Sequence, residues 1–270
     1  MASITAFDVG YCSHPGCMAL KGAGLKNRCF PSRAYLIQTS RGLHLWDTGY
    51  SEHFMDAAHG IYRLYPLVTP IHLNAQAPIV LQLKRMGIHA ADLRNIVVSH
   101  FHADHIAGLL DFPGVRIVCA AEGWQSIQGL KGLSALRRAF LPGLVPLDMP
   151  ERTTFLHELP QMKLPPNLIP FESARDIDGS GEVYLIELPG HAIGHLGAFV
   201  HTESGWTLLA SDAAWAPENY TELRGPSELS FLVQDNRSNY YDTLRKMQRL
   251  HQNGIEILLT HQQASESNSC

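Results

Sequence analysis

Short runs of β-branched and aromatic residues recur along the chain, with turn residues between them. Three runs lie near the N-terminus, and the turn-like residues 40–42 between the second and third predict a hairpin that ends at Asp47: "SITAFDVGYC", "AYLIQT" and "GLHLWDTG". A second set lies towards the C-terminus: "EVYLIEL", "GAFVHT" and "WTLLASD". The run "IEILLTHQ" predicts one late strand. The pattern therefore predicts two separate groups of strands.

Apolar residues at helical spacing lie between and after these groups. They predict a helix over residues 77–86, two short helices within 121–140 and an amphipathic helix over 238–252. Ser238 is the predicted N-cap of the last helix, and Asn253–Gly254 is its predicted end. Strands and helices in this order predict an α/β fold in which two sheets pack face to face with helices outside, an αββα layering.

Two apolar segments have no clear period. Residues 52–76 and 141–170 fit either packed surface loops or the wall of a pocket, and the pattern alone favours packed loops. The polar end of the sequence predicts a disordered tail over residues 264–270. We therefore expect one domain over residues 1–263.

Composition narrows the possible functions. Hydrophobic residues make up 45% and charged residues 17% of the chain, which is typical of a globular protein. The net charge of -4, without a basic run, argues against a nucleic-acid partner. The first residues lack a secretion signal and no apolar run is long enough for a bilayer, so we expect a cytoplasmic protein with no membrane partner.

The five cysteines predict no disulfide framework, because their number is odd and no secretion signal precedes them. Cys12, Cys17 and Cys29 lie close enough in sequence to suggest a metal cluster. Their spacing matches no zinc pattern, however, and free thiols are the favoured interpretation.

The stretch "IVVSHFHADHIAGLL" concentrates three histidines and an aspartate directly after a predicted strand. If the chain is extended there, His100 and His102 point the same way, while Asp104 and His105 turn towards a neighbouring point. Neutral imidazole and carboxylate are natural zinc ligands. Two adjacent ligand sets suit two metal ions about 3.5–4 Å apart, as in hydrolytic two-metal sites.

Three further candidate ligands each follow a predicted strand: His191, Asp212 and His261. We predict that Asp212 bridges the two ions, since a carboxylate has two oxygens. The first predicted ligand set is His100, His102, His191 and Asp212. The second predicted set is Asp104, His105, His261 and Asp212. Both sets leave room for a shared water, which a catalytic site needs.

Five motifs in a fixed order carry a resemblance: "LWDTG", "SHFHADHIAG", "PGHAIGH", "SDAAW" and "THQQ". They span residues 47–261, and with them the sequence resembles the metallo-β-lactamase superfamily. The resemblance implies an αββα sandwich of two mixed sheets and a two-metal site. It also implies that Asp47 supports the ligand loops without binding metal. Four further histidines receive no metal-binding role: His44, His53, His195 and His201.

Within that superfamily, the sequence resembles the N-acyl homoserine lactone lactonases. The other branches fit less well, because Asp212 and His102 are present and no further domain follows His261. The lactonases usually carry a tyrosine three residues after the bridging aspartate, where it donates to the substrate carbonyl. Trp215 occupies that position, and Tyr220 is an alternative donor.

The resemblance implies a hydrolase that opens lactones such as N-acyl homoserine lactones, a reaction known as quorum quenching. Two divalent ions, expected to be zinc, would hold the attacking hydroxide, and Asp104 would carry a proton to the leaving group. The expected partner is a small-molecule substrate with an apolar portion. The alternatives are hydrolysis of other esters, thioesters or phosphodiesters, and a regulatory protein that binds a ligand with little turnover.

Overall fold

The computed structural model describes residues 1–74 and 77–262, so the predicted tail over 264–270 lies outside the described residues. Its strands are β1 (Ser3–Pro15), β2 (Asn27–Thr39), β3 (Gly42–Trp46), β4 (Ile71–His72), β5 (Leu93–Val97), β6 (Ile117–Cys119), β7 (Thr153–Phe155), β8 (Gln161–Lys163), β9 (Ser173–Asp176), β10 (Val183–Glu187), β11 (Leu196–Thr202), β12 (Gly205–Ser211) and β13 (Glu256–Leu259). Its α-helices are α1 (His53–Ala57), α2 (Leu64–Val68), α3 (Ile79–Arg85), α4 (Ala103–Ile106), α5 (Ala121–Ile127), α6 (Leu133–Leu136), α7 (Met149–Arg152), α8 (Pro217–Thr221) and α9 (Arg237–Gln252).

The strands form two mixed sheets. The first sheet has seven strands in the order β4–β1–β2–β3–β5–β6–β7, and the second has six in the order β13–β12–β11–β10–β9–β8. The predicted hairpin is present, because β2 pairs with β3 in antiparallel register. Strands β3, β5, β6 and β7 run parallel to one another, as do β12 and β13.

Side-chain alternation along the strands divides the core into layers. Tyr35 and Ile37 of β2 face the second sheet and pack with its Leu185, whereas Leu36 points to the opposite face. The outer face of the second sheet is covered by α9, whose Leu244 joins a separate cluster with that sheet. These layers confirm the predicted αββα sandwich of two mixed sheets.

Helix α9 begins earlier than predicted. Asn236 is its N-cap, because its extended backbone lets the side-chain oxygen accept from the Asn239 N–H at 3.0 Å. Ser238 therefore lies inside the first turn, and its prediction as the cap is wrong. The predicted end at Asn253 and Gly254 is confirmed.

The two segments without a clear period contain short elements. Residues 52–76 include α1, α2 and β4, and residues 141–170 include α7, β7 and β8. Each has two to five residues, which is too short to produce a periodic pattern in the sequence. Within residues 1–74 and 77–262, every helix is too short or too polar to span a bilayer.

The start of α9 is tied to the loop that carries His191. The backbone N–H groups of Asp235 and Asn236 donate to the carbonyls of His191 and Gly190, at 3.0 and 2.9 Å. Gly190 has a φ of 128°, and an added Cβ would overlap the backbone of Tyr240. Only glycine allows this close approach of the loop to the helix.

We predict that Gly190→Ala destabilises the fold more than a matched change in open space. Gly22 also has a positive φ, of 87°, but an added Cβ would meet nothing within 4 Å. Gly22→Ala should cost only the backbone strain of about 1–2 kcal/mol, while Gly190→Ala adds about 1–3 kcal/mol of steric overlap. Urea denaturation measures both, and equal losses of unfolding free energy would contradict the tight approach.

Candidate metal centre

The candidate ligands gather at one end of the sandwich because several strands end there. Asp47 directly follows β3, and the histidine motif follows the parallel neighbour β5. In the second sheet, Asp212 follows β12, and His261 follows the parallel strand β13 by two residues. Parallel strands in one sheet end at the same edge, so residues distant in sequence become neighbours.

The short helix α4 begins inside the histidine motif and not after it. Asp104 and His105 therefore lie on its first turn, where consecutive side chains diverge by about 100°. Their backbone carbonyls accept from Ser32 Oγ and Thr48 Oγ1, both at 2.9 Å, which fixes the helix against β2 and the β3 loop. The two side chains still reach a common point, with Asp104 Oδ2 and His105 Nε2 3.6 Å apart.

The first cluster contains three imidazoles and one carboxylate, all buried. The Nε2 atom of His191 lies 3.2 Å from His100 Nε2 and 3.0 Å from His102 Nδ1. Asp212 Oδ2 lies 3.5 Å from the same His191 nitrogen. The four ligand atoms lie within 4.8 Å of one another, as a metal site requires.

The second cluster shares Asp212 with the first. His105 Nε2 lies 3.3 Å from Asp212 Oδ1, and His261 Nε2 lies 3.1 Å from Asp212 Oδ2. Asp104 Oδ2 completes the set at 3.4 Å from His261 Nε2. The structure thus brings together both predicted ligand sets, with Asp212 between them.

Hydrogen bonds behind the clusters set the tautomers of the histidines. Asp47 Oδ2 accepts from His105 Nδ1 at 2.8 Å, and the carbonyl of Pro31 accepts from His261 Nδ1 at 2.7 Å. Each ring therefore carries a proton on Nδ1, and its Nε2 faces the cluster, where it can bind a metal once it is deprotonated. His100 Nδ1 has a similar neighbour in Ser99 Oγ at 3.0 Å.

Asp47 holds the loop after β5 as well as His105. Its Oδ1 accepts from the Ser99 backbone N–H and its Oδ2 from the Ser99 hydroxyl, both at 2.7 Å. Asp47 itself has a φ of 55°, an uncommon conformation for a residue other than glycine. The geometry places Asp47 behind the ligands rather than among them.

The donor sets fit divalent metal ions. One N–H among the three facing imidazole nitrogens can serve only one neighbour, and His105 Nε2 and Asp212 Oδ1 are buried 3.3 Å apart without a well-aligned hydrogen bond among the described residues. Buried polar atoms of this kind are costly unless something pairs with them. A cation in each cluster would pair with all of them, and mixed nitrogen and oxygen ligands suit zinc.

Burial and neighbouring charges shift the pKa values of the ligands in two directions. Burial, with further lowering by the adjacent histidines, holds the pKa of His100 and His191 well below 6.5, and burial lowers that of His102 to about 4. Burial also lowers the pKa of His105, but the carboxylates of Asp104 and Asp212 outweigh it and raise the value well above 6.5. The three histidines of the first cluster are thus neutral and can bind a cation beside the Asp212 carboxylate.

Four other histidines, for which no metal role is predicted, contact residues outside the two ligand sets or support them from behind. His195 links the Leu188 carbonyl, 3.0 Å from its Nδ1, to the Asp212 backbone N–H, 3.3 Å from its Nε2. It therefore supports Asp212 from behind. His44, His53 and His201 contact Asp178, Asp111 and Trp206, respectively.

A largely apolar cavity of about 800 Å³ opens beside both clusters. Its wall includes residues from α6 and from the irregular segment 52–76, for which the pattern alone favoured a packed loop over a pocket wall. It also includes residues near the N-terminus and a turn of 3₁₀ helix over 228–232, which the sequence did not indicate. The apolar lining residues are Met18, Phe30, Leu64, Tyr65, Val68, Leu133, Leu136, Leu229, Leu232 and Val233.

Trp215 lines this cavity, as predicted, but its indole N–H already has a hydrogen-bond acceptor. The indole Nε1 donates to Asp212 Oδ2 at 3.0 Å, and the ring packs edge-to-face on His191. Tyr220 does not reach the cavity, because α8 turns it into the core beneath α9, where it packs on His251. Tyr220 is therefore wrong as a substrate-binding residue.

An αββα sandwich with two adjacent histidine and aspartate clusters at one end of its sheets is the arrangement that the sequence motifs led us to expect. A family model described as the metallo-beta-lactamase superfamily matches residues 27–260. The chain belongs to this superfamily, which confirms the resemblance found in its motifs.

Two curated relatives align over most of the chain. "Probable metallo-hydrolase Rv2300c" of Mycobacterium tuberculosis is 30% identical over 207 residues, which cover 74% of this chain and 61% of that protein. This chain thus spans less than two thirds of that relative. An N-acyl homoserine lactonase of Bacillus cereus is 28% identical over 203 residues, 71% of this chain and 67% of that protein.

Solved structures agree with the fold. One is an N-acyl homoserine lactone hydrolase with the product N-hexanoyl-L-homoserine bound at its catalytic metal centre. It has a TM-score of 0.71 and 19% identity, over 96% of this chain and 92% of that chain. At this identity the likeness establishes the shared fold.

We predict that Asp212→Ala disables both clusters at once, because both share this carboxylate. Metal content, measured by elemental analysis after purification without chelator, should fall well below that of the unchanged protein. His201→Ala is the matched control, since His201 stacks on Trp206 away from the clusters. Equal metal content in the two variants would show that Asp212 is not a metal ligand.

Proposed function

We propose that this protein is a dinuclear-metal-dependent hydrolase that opens lactones with an apolar acyl portion, such as N-acyl homoserine lactones. One observation carries the proposal: two ligand clusters that share Asp212 lie at the wall of an apolar cavity of about 800 Å³. A cavity of this volume is within the usual range for small-molecule sites.

Two divalent ions bound there, which we propose to be zinc, would polarise the substrate carbonyl and supply hydroxide near neutral pH. The residues of the chain then orient the substrate and move protons. Asp104 is exposed to the cavity and lies next to His261. We assign it the transfer of a proton from the attacking water to the leaving alkoxide.

The shape and chemistry of the cavity support an acyl substrate. Its outer wall is apolar and continues onto exposed side chains at the mouth, including Leu64, Val68 and Leu232. A chain of methylene groups gains about 0.8 kcal/mol for each one buried in such a wall. The lactonase from Bacillus cereus and the product-bound lactone hydrolase support the choice of a lactone as the reacting group.

We predict that the zinc-loaded protein hydrolyses N-acyl homoserine lactones with a kcat/KM that rises with acyl length. The measurement compares four-, eight- and twelve-carbon acyl lactones with a chromogenic ester, a thioester and a phosphodiester. Efficient cleavage of the thioester or phosphodiester without lactone turnover would overturn the lactonase assignment. Tight lactone binding without turnover of any substrate would favour a regulatory protein.

A matched pair of surface variants tests the role of the apolar wall. Val68→Asp places a charge at the cavity mouth, whereas Leu147→Asp places one on a fully exposed residue outside the cavity lining. Val68→Asp should raise KM for the twelve-carbon lactone more than for the four-carbon lactone. Leu147→Asp should change neither value, and an equal effect of the two variants would contradict the proposed acyl site.

A further inference from the structure

The position of Trp215 leaves the hydrogen bond to the substrate carbonyl without an assigned donor. The indole of tryptophan has a single donor and no acceptor. In this chain that donor faces Asp212 Oδ2 at 3.0 Å, and the edge-to-face contact with His191 holds the ring in place. Trp215 therefore supports the shared carboxylate and has no N–H left for a substrate carbonyl.

Two tyrosines line the same cavity, but their hydroxyl groups differ. Tyr50 is only 1% exposed, and burial beside the Cys12 thiol raises the pKa of its hydroxyl well above 10. The hydroxyl of Tyr65 has no hydrogen-bond partner among the described residues. It is also not among the polar atoms that are fully buried and unpaired, so its oxygen is not fully enclosed. It therefore keeps access to the cavity and a free donor.

The ring of Tyr65 is well fixed. Phe54 packs edge-to-face on it with ring centroids 5.1 Å apart, and Phe54 in turn packs on Tyr50 at 5.5 Å. The residue is 8% exposed, so little of its surface faces solvent. A donor held by a packed ring loses little entropy when it meets a substrate, which is the requirement for preorganised catalysis.

Tyr65 lines the same cavity as the ligands Asp104 and Asp212. Burial raises its pKa well above 10, and the nearby carboxylate of Asp104, the Cys12 thiol and Asp212 raise it further. The hydroxyl is thus fully protonated near neutral pH. It acts as a donor and not as a base.

We propose that Tyr65 is a catalytic residue whose hydroxyl donates a hydrogen bond to the substrate carbonyl oxygen as negative charge develops there. The O–H bond stays intact throughout, so the proton remains on Tyr65 and no covalent step involves the ring. This inference rests on the proposed hydrolysis of a carbonyl substrate. It assigns to α2 the donor that the lactonases carry after the bridging aspartate.

Tyr65→Phe tests the proposal, because it removes the hydroxyl and keeps the ring that packs on Phe54. We expect kcat of the zinc-loaded protein to fall about 10-fold to 100-fold, at or below the usual loss for one oxyanion donor. Metal content and the unfolding temperature should not change. Tyr11→Phe is the matched control, since Tyr11 stacks on His72 outside the cavity lining.

A second readout does not depend on turnover. The Kd of an unreactive lactam analogue, measured by calorimetry, should weaken several-fold in Tyr65→Phe and stay constant in Tyr11→Phe. Unchanged kcat and lactam Kd in Tyr65→Phe, in a protein that hydrolyses lactones, would overturn the inference and leave the proposed function intact. A fall in kcat for Trp215→Phe, which loses its support of Asp212, without any fall for Tyr65→Phe would also overturn the inference.

Failure of the proposed function would look different. If the unchanged protein cleaves an ester or thioester and no lactone, the same variants are compared on that carbonyl substrate. A loss confined to Tyr65→Phe would then support the donor role while the lactonase assignment fails. If no carbonyl substrate is cleaved, the lactam Kd decides, and equal values for Tyr65→Phe and the unchanged protein reject the donor.

Discussion

The mutual closeness of buried, unprotonated imidazoles is the constraint on which this molecule depends. His191 Nε2 faces two other ring nitrogens at 3.0 and 3.2 Å, in an environment that holds the pKa values of these rings low. Lone pairs at that distance repel one another unless a cation or a proton lies between them. A neutral imidazole carries one N–H, so a proton on His191 Nε2 could serve only one of its two neighbours at a time, whereas a metal ion accepts the lone pairs of all three nitrogens.

The sandwich makes this arrangement possible because its strands form a packed framework and the segments at one end hold the ligands. The packed strands carry no ligands within their spans, and the loops and the short helix α4 at one end carry all seven. Asp47 and His195 then connect the ligands to the strands from behind, so that ring orientation and tautomer are set before any ion binds. A helical turn over 64–68 and a 3₁₀ turn over 228–232 add the apolar wall above that rigid base.

The predicted ligands come together in the structure, and their signals in the sequence are local. The motif from His100 to His105 is compact, and the strand before each remaining ligand is readable from its β-branched residues. The cavity wall was less predictable, because residues such as Met18 and Tyr65 meet only through tertiary packing. The hydrogen bond from the Trp215 indole to Asp212 and the burial of Tyr220 in the core both depend on side-chain direction. The spacing of residues along the sequence does not determine that direction.

Zinc titration of the metal-free protein, followed by calorimetry, tests the central claim most directly. If the fold preorganises both ligand clusters for metal ions, the titration should reach two ions per chain. The unfolding temperature should then rise with the ions bound. Binding of one ion or none, with an unfolding temperature that zinc does not change, would contradict the account.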